Sequence, residues 1–294
     1  MEHGRYIRDN RRKKRGRKIL ATAAFLLTVS AIAAVICLAM FFNITDISVA
    51  GLLEYTPEEV IAITGIKKGQ NIFAVDDKAV TQAIHSAFPY VDTVKVVRLL
   101  PTTVELVITE TKAELVMVNS PASYTLIGGN GRVLRQRTDV STEGLPIFIG
   151  ADISSLPEGQ TISQKELEKA SAAAGADKSL EPFCNTMLKA VGSLNTAQYL
   201  LSAAKETEFD KVSYYDVGDN LSVSLLYDNR VLVELGSELE LDYKMQFGKK
   251  VLGELGESFC GTVNLSTAGN NQRSYAREQD IKPLMNTIYL EGYY

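Results

Sequence analysis

From residue 43 onward, apolar positions come in short runs whose spacing switches between strand and helix periods. Ile44, Ile47 and Val49 lead into Gly51, a short strand ending in a turn. Thr56-Pro57-Glu58-Glu59 is a helix start, with Thr as N-cap, Pro at the first helical position and acids at the positive end of the dipole. Gly65 stops that helix, and Gly69-Gln70-Asn71 is a turn before Ile72, Phe73 and Val75. Asp76-Asp77 caps a second helix, in which Ala79, Val80, Ala83, Ile84 and Ala87 form one stripe. Val91, Val94, Val96 and Val97 make a β-branched strand. After a turn at Leu100-Pro101-Thr102, Val104, Leu106 and Ile108 alternate with more polar neighbours. The predicted order over residues 43–110 is β-α-α-β-β.

The pattern is sparser over residues 111–266. Leu115 to Val118 is a strand, and Tyr124–Ile127 and Arg132–Leu134 flank the turn Gly128-Gly129-Asn130-Gly131 as a hairpin. A phosphate-cradling loop is the sharper reading of those glycines, but no GK[ST] or opening helix follows them. Residues 151–181 are rich in Ser, Ala, Gly and charge, and read as a loop insertion with one short exposed helix at 163–173. Met187, Leu188, Val191 and Leu194 suit an amphipathic helix. Val212–Val217, Leu221–Tyr227 and Arg230–Leu235 are three strands, the last two joined by a turn at Tyr227-Asp228-Asn229-Arg230. A helix follows Gly236-Ser237, and Thr262, Val263, Asn264, Leu265 and Ser266 form the last clear strand. Residues 267–294 carry Tyr275, Tyr289, Tyr293 and Tyr294 but no periodic pattern, and read as a flexible tail. The fold class expected is α+β, with a mixed and mostly antiparallel second domain flanked by helices.

Ahead of these units lies a different kind of sequence. Residues 19–42 hold no charge and are almost wholly apolar. As a helix, 24 residues reach about 36 Å, enough to cross a hydrocarbon core of about 30 Å with some tilt. A cleaved signal peptide fits poorly, because apolar sequence runs on past the loose small-x-small site at Ala31-Ile32-Ala33. A lipoprotein site at Cys37 is disfavoured by the bulky Val35-Ile36 before it. The run therefore reads as a single transmembrane helix.

Charge sets its direction. Residues 1–18 carry nine basic and two acidic residues; the remainder carries 22 basic and 33 acidic. Arg11, Arg12, Lys13, Lys14, Arg15, Arg17 and Lys18 sit directly before the apolar run. Positive charge stays on the cytoplasmic side, so the N-terminus is expected inside and residues 43–294 outside. Beside an apolar run, the basic block suits anionic lipid rather than nucleic acid.

Candidate chemistry is thin. The only cysteines after the apolar run, Cys184 and Cys260, are isolated, and their spacing gives little support for a disulfide. His3 and His85 are the only histidines, and no metal-ligand cluster or cofactor motif is visible. The paired acids Glu58-Glu59 and Asp76-Asp77 already serve helix N-termini. No S-x-x-K of penicillin-binding chemistry occurs around Ser163 or Ser237. The sequence favours a non-enzymatic protein without cofactor or metal.

The first folded unit resembles the POTRA domain of the FtsQ/DivIB bacterial cell-division family. The resemblance rests on Ile47-x-Val49-x-Gly51, Gly65-Ile66-x-x-Gly69-x-Asn71-Ile72-Phe73, Pro89-x-Val91 and Val96-x-Arg98-x-Leu100-Pro101-x-Thr103-Val104, in order after the apolar run. It departs at Glu110-Thr111-Lys112-Ala113, where the family usually has a Glu-Arg-x-Pro-like exit. Leu145-Pro146-Ile147-Phe148-Ile149-Gly150, Val231-x-Val233-x-Leu235-Gly236, Lys244 and Gly261–Leu265 extend the resemblance, more loosely, into the family's β domain. Most members have Asp where Asn264 stands.

The resemblance implies a scaffold of the division septum. Its partners would be FtsL-like and FtsB/DivIC-like small bitopic proteins, which together regulate the septal peptidoglycan synthase. It also implies that an FtsB-like partner adds a strand near Thr262–Ser266, although that segment reads equally well as an interior strand. Two other readings stay open: a POTRA-bearing transport or secretion component, and an unrecognised membrane-anchored cell-wall enzyme.

Overall fold

The computed structural model describes residues 20–34, 36, 41–120, 123–138, 144–268 and 273–281. The chain divides into two compact units, residues 1–84 with 93–109, and residues 85–92 with 110–294. Residues 20–34 are helical (α1) and exposed throughout. Among the described residues no helix is long and apolar enough to cross a membrane. The expected span over 19–42 runs partly outside the described residues, and the basic residues 11–18 lie wholly outside them.

The first unit has the β-α-α-β-β order. It comprises β1 (Asp46–Ala50), α2 (Pro57–Thr64), α3 (Asp77–Ala87), β2 (Val91–Leu99) and β3 (Thr103–Glu110), with a short 3-10 turn at Ile72–Ala74. The ends of α2 form as the residues dictate. Glu59 donates its amide to Thr56 Oγ1, the Glu59 carboxylate accepts from the Thr56 amide at 2.9 Å, and Gly65 closes the helix in the left-handed conformation. The three strands lie in the order β1-β3-β2, and β1 runs parallel to β3 from Asp46↔Thr103 to Ala50↔Val107. Val104, Leu106 and Ile108 face the core with Val60, Ile72, Val80 and Ile84.

Arg98 staples the turn to the sheet. Its guanidinium donates to both Asp77 carboxylate oxygens, at 3.0 and 2.6 Å, and to the carbonyls of Ile72 and Val75. A planar fork with several fixed donors can do this; a lysine ammonium lacks that geometry.

The second unit is built on a nine-stranded sheet in the order β12-β11-β10-β9-β8-β7-β4-β5-β6. The strands are β4 (Ala113–Ser120), β5 (Ser123–Gly128), β6 (Val133–Arg137), β7 (Ile147–Ile149), β8 (Val212–Asp216), β9 (Val223–Tyr227), β10 (Val231–Gly236), β11 (Gly261–Asn264) and β12 (Tyr275–Glu278). Five neighbouring pairs are antiparallel; β4–β7, β7–β8 and β10–β11 are parallel. Alternate strand residues, such as Leu115 and Met117 or Val231, Val233 and Leu235, share one core with α4 (Gln164–Ala176), α5 (Glu181–Thr207) and α6 (Leu241–Leu255).

Within residues 151–181 the helix expected at 163–173 is present as α4, but the segment is packed rather than looped out. Ile153, Leu156 and Ile162 are buried in that core, and α4 runs through the middle of the segment. Ser163 caps α4 by accepting from the Glu166 amide, and Leu167 and Ala170 are its buried positions. The buried stripe contains alanine, too weakly apolar to stand out against exposed alanines of the same helix. Cys184 and Cys260 are both free thiols.

Candidate functional site

The strand singled out from the sequence, β11, lies near one end of the large sheet. Its backbone is occupied on both sides. β10 pairs with it in parallel, Val231↔Gly261 through Glu234↔Asn264, and β12 pairs antiparallel, Gly261↔Glu278 through Asn264↔Tyr275. Val263 and Leu265 point into the core and are fully buried. Thr262 and Asn264 are half-buried, and Ser266 is exposed. Among the described residues the edge at this end is therefore β12, one strand beyond Thr262–Ser266, and it falls within the segment expected to be a flexible tail. Residues 282–294 lie outside the described residues.

Polar contacts fix β11 in place. Asn264 Nδ2 donates to Glu234 Oε2 at 2.5 Å, while Asn264 Oδ1 accepts from the Ser266 amide at 3.0 Å and the Ser266 hydroxyl at 2.7 Å. An aspartate at this position has no N–H to give Glu234, so the departure from the resembled family carries its own hydrogen bond. The Leu265 amide donates to the Glu234 carbonyl at 2.8 Å. At the start of α6, the buried Lys244 ammonium donates to the Ser237 carbonyl at 2.8 Å. Burial pulls the Lys244 pKa down, and the Glu240 carboxylate works in the opposite direction.

β12 is held differently. All four of its residues are exposed. The Gln279 amide donates to the Cys260 carbonyl at 3.2 Å, and Gln279 Nε2 donates to Thr262 Oγ1 at 2.7 Å. Ile281, just past the strand, is buried. The Gln279–Cys260 bond sets the alternation of an antiparallel ladder. Tyr275, Arg277 and Gln279 turn their backbone groups toward β11, while Ala276 and Glu278 turn theirs to the open side. Gly261 permits the close approach, since a Cβ there would run into the Arg277 carbonyl oxygen. Tyr-Ala-Arg-Glu shows no apolar alternation, so sequence reasoning had no signal for this strand.

Among the described residues no group of three or more His, Cys, Asp or Glu side chains is placed to hold a metal ion. Among the described residues the site is a strand edge with no neighbour on its outer side, whose chemistry is backbone pairing.

Comparison with known proteins bears on the first unit and on the chain's relatives. Residues 42–111 match the POTRA domain of the FtsQ type, which makes this a POTRA-bearing protein with a β-sheet domain following. Along 90% of its length the chain is 26% identical to the cell division protein DivIB of Clostridium botulinum (strain Hall), covering 93% of that protein. It is 22% identical over 71% of its length to DivIB of Geobacillus kaustophilus, covering 79% of it. A 125-residue stretch, 40% of this chain, is 30% identical to the cell division protein FtsQ of Corynebacterium glutamicum and covers half of it. The chain is thus similar to FtsQ/DivIB cell-division proteins, in the POTRA-matching residues and along most of its length.

Proposed function

We propose that this protein is a membrane-anchored, non-enzymatic scaffold of the division septum. In this reading residues 19–42 span the membrane, the basic residues 11–18 remain in the cytoplasm against anionic lipid, and residues 43–294 lie outside. The exposed apolar side chains of α1, among them Leu20, Phe25, Leu26 and Leu27, support a lipid surrounding. The scaffold gathers FtsL-like and FtsB/DivIC-like bitopic proteins and through them helps regulate septal peptidoglycan synthesis. Confinement to one surface raises effective concentration, so individually weak contacts suffice.

The observation that carries the reading is the open outer side of β12. A partner strand laid along it gains backbone hydrogen bonds from Ala276 and Glu278 and makes β12 an interior strand. β11 then supports the binding strand instead of touching the partner.

The test is co-purification of the full chain with its FtsL-like and FtsB/DivIC-like partners from co-expressing membranes. Ala276→Pro removes one outward amide and leaves the bonds to β11 in place, as an edge strand tolerates. Capture should fall roughly tenfold, the worth of about one backbone hydrogen bond. Val263→Pro should abolish capture by disrupting the strand beneath. Full capture by the Ala276→Pro protein would reject addition on this side of β12. No capture by the unaltered chain would reject the division-partner reading.

A further inference from the structure

The three-stranded unit has an apolar end that its own core does not use. Phe41, Phe73, Leu99 and Leu100 are 69, 55, 47 and 58% exposed. They belong to three separate segments that backbone hydrogen bonds lace together. The Ile72 amide donates to the Phe42 carbonyl at 2.8 Å, and the Ile44 amide donates to the Gln70 carbonyl at 2.8 Å. The Thr45 amide donates to the Thr102 carbonyl at 2.9 Å, which ties the β2–β3 turn to the start of β1. Arg98, next to Leu99, donates to the Ile72 carbonyl at 3.2 Å. The rings of Phe42 and Phe73 lie 5.3 Å apart. Because β1 and β3 are parallel, their first residues and the β2–β3 turn all sit at one end of the sheet. Leu53, also exposed, follows the other end of β1.

We propose that this end of the unit is seated in the lipid surface, with Phe73, Leu99 and Leu100 buried among the headgroups and upper acyl chains. The proposal rests on the reading of residues 19–42 as a membrane span. What selects lipid is continuity. The apolar run ends at Phe42, and the same residue's carbonyl holds the Phe73 turn. Residues 43–45 carry the chain from the end of the run to the Thr45 backbone bond that fixes the Leu99-Leu100 turn. At about 3.3 Å per residue they reach about 10 Å, comparable to the headgroup zone on one side of a bilayer. Lys67 and Lys68, both exposed, lie in the loop whose Gly69 and Gln70 bond Ile44, and place cationic heads beside lipid phosphates. Exposed Phe and Leu at such a boundary lose contact with water without needing any protein partner.

Because the chain has no tryptophan, a single introduced one reports alone. Phe25→Trp, Leu100→Trp and Leu53→Trp are made separately in the full chain and reconstituted into phosphatidylethanolamine–phosphatidylglycerol vesicles containing lipids brominated on the acyl chains. Seating in lipid predicts about twofold quenching for Leu100→Trp, blue-shifted emission, and none for Leu53→Trp. Phe25→Trp, in the middle of the run, should be quenched more strongly. Strong quenching of Phe25→Trp with none of Leu100→Trp overturns the proposal and leaves the span intact. Absence of quenching at both positions overturns both. Leu99→Asp with Leu100→Asp, added to a Phe73→Trp reporter, should remove its quenching. Retained quenching there would show that the turn does not hold the unit to lipid.

Discussion

The two edges of the nine-stranded sheet are treated in opposite ways. At the β6 edge the chain covers itself. The Val133 amide donates to the Gln160 carbonyl at 2.8 Å, the Gly159 amide donates to the Val133 carbonyl at 2.7 Å, and the Gln136 amide donates to Glu158 Oε1 at 2.8 Å. Ile153, Leu156 and Ile162 anchor that covering segment in the core. At the β12 edge nothing comparable occurs among the described residues, and the four strand residues are all exposed. An uncovered edge is an aggregation hazard that folded chains usually blunt. Among the described residues, then, one edge is blunted and the other is not.

The sharpest way to break the contrast is to uncover the closed edge. Leu156→Ala leaves a cavity under the covering segment and should cost about 2–5 kcal/mol in denaturation. Loss of solubility should accompany it if the cover is what blocks edge pairing. A cost below about 1 kcal/mol would mean that the cover is not anchored by this side chain.

Next is the open edge itself. Gly261→Ala drives a methyl into the Arg277 carbonyl and should cost about 1–3 kcal/mol locally. The expected signature is faster amide exchange at Tyr275, Arg277 and Gln279 with β9 and β10 unchanged, since an exposed strand is a low-stability unit. Uniform acceleration across the sheet would contradict that independence.

Asn264→Asp is a smaller perturbation. It removes the donor to Glu234 and sets like charges opposite each other on β10 and β11, for about 0.5–1.5 kcal/mol. Unchanged or raised stability would show that the Asn264–Glu234 bond contributes nothing.

The smallest effect is in pH. The His85 pKa is lowered, first by burial and then by the Arg132 guanidinium, and Arg132 Nη2 donates to the His85 carbonyl at 2.9 Å beside the closed edge. The unfolded chain therefore binds the His85 proton more readily than the folded one. That contribution is fully present above about pH 6.5 and lost as pH falls from there through the folded value. Melting temperature should dip slightly over this window, and His85→Gln should flatten the dip. An unaltered dip would assign it to other groups.

The first unit was legible because its signals are local. The Thr56–Glu59 capping box, the Gly65 stop and the alternation of Val104, Leu106 and Ile108 each act within a few residues, and the same holds for the turn at Asp228-Asn229, where both residues have positive φ. What escaped was set by distant partners. α5 runs for 27 residues although only Met187–Leu194 reads as a helix, and it ends at Glu208 in a left-handed conformation without a glycine. The covering segment 153–162 looks polar because only three of its residues reach the core. β12 exists because β11 offers it backbone rungs, and Tyr275–Glu278 carries no trace of that offer. Thr262–Asn264 proved to lie on β11, between β10 and β12.

The parallel pairing of β1 with β3 also has a mechanical meaning. The chain enters the first unit at Asp46 and reaches the end of β3 at Glu110, and the two strands lie side by side over five residue pairs. Tension between those points pulls parallel neighbours in opposite directions along their length. The backbone rungs between them are loaded together in shear, so rupture requires several to fail at once, and the rate of forced unfolding is set by that concerted step. A unit loaded between those two points would thus transmit force along its strands instead of peeling open one bond at a time.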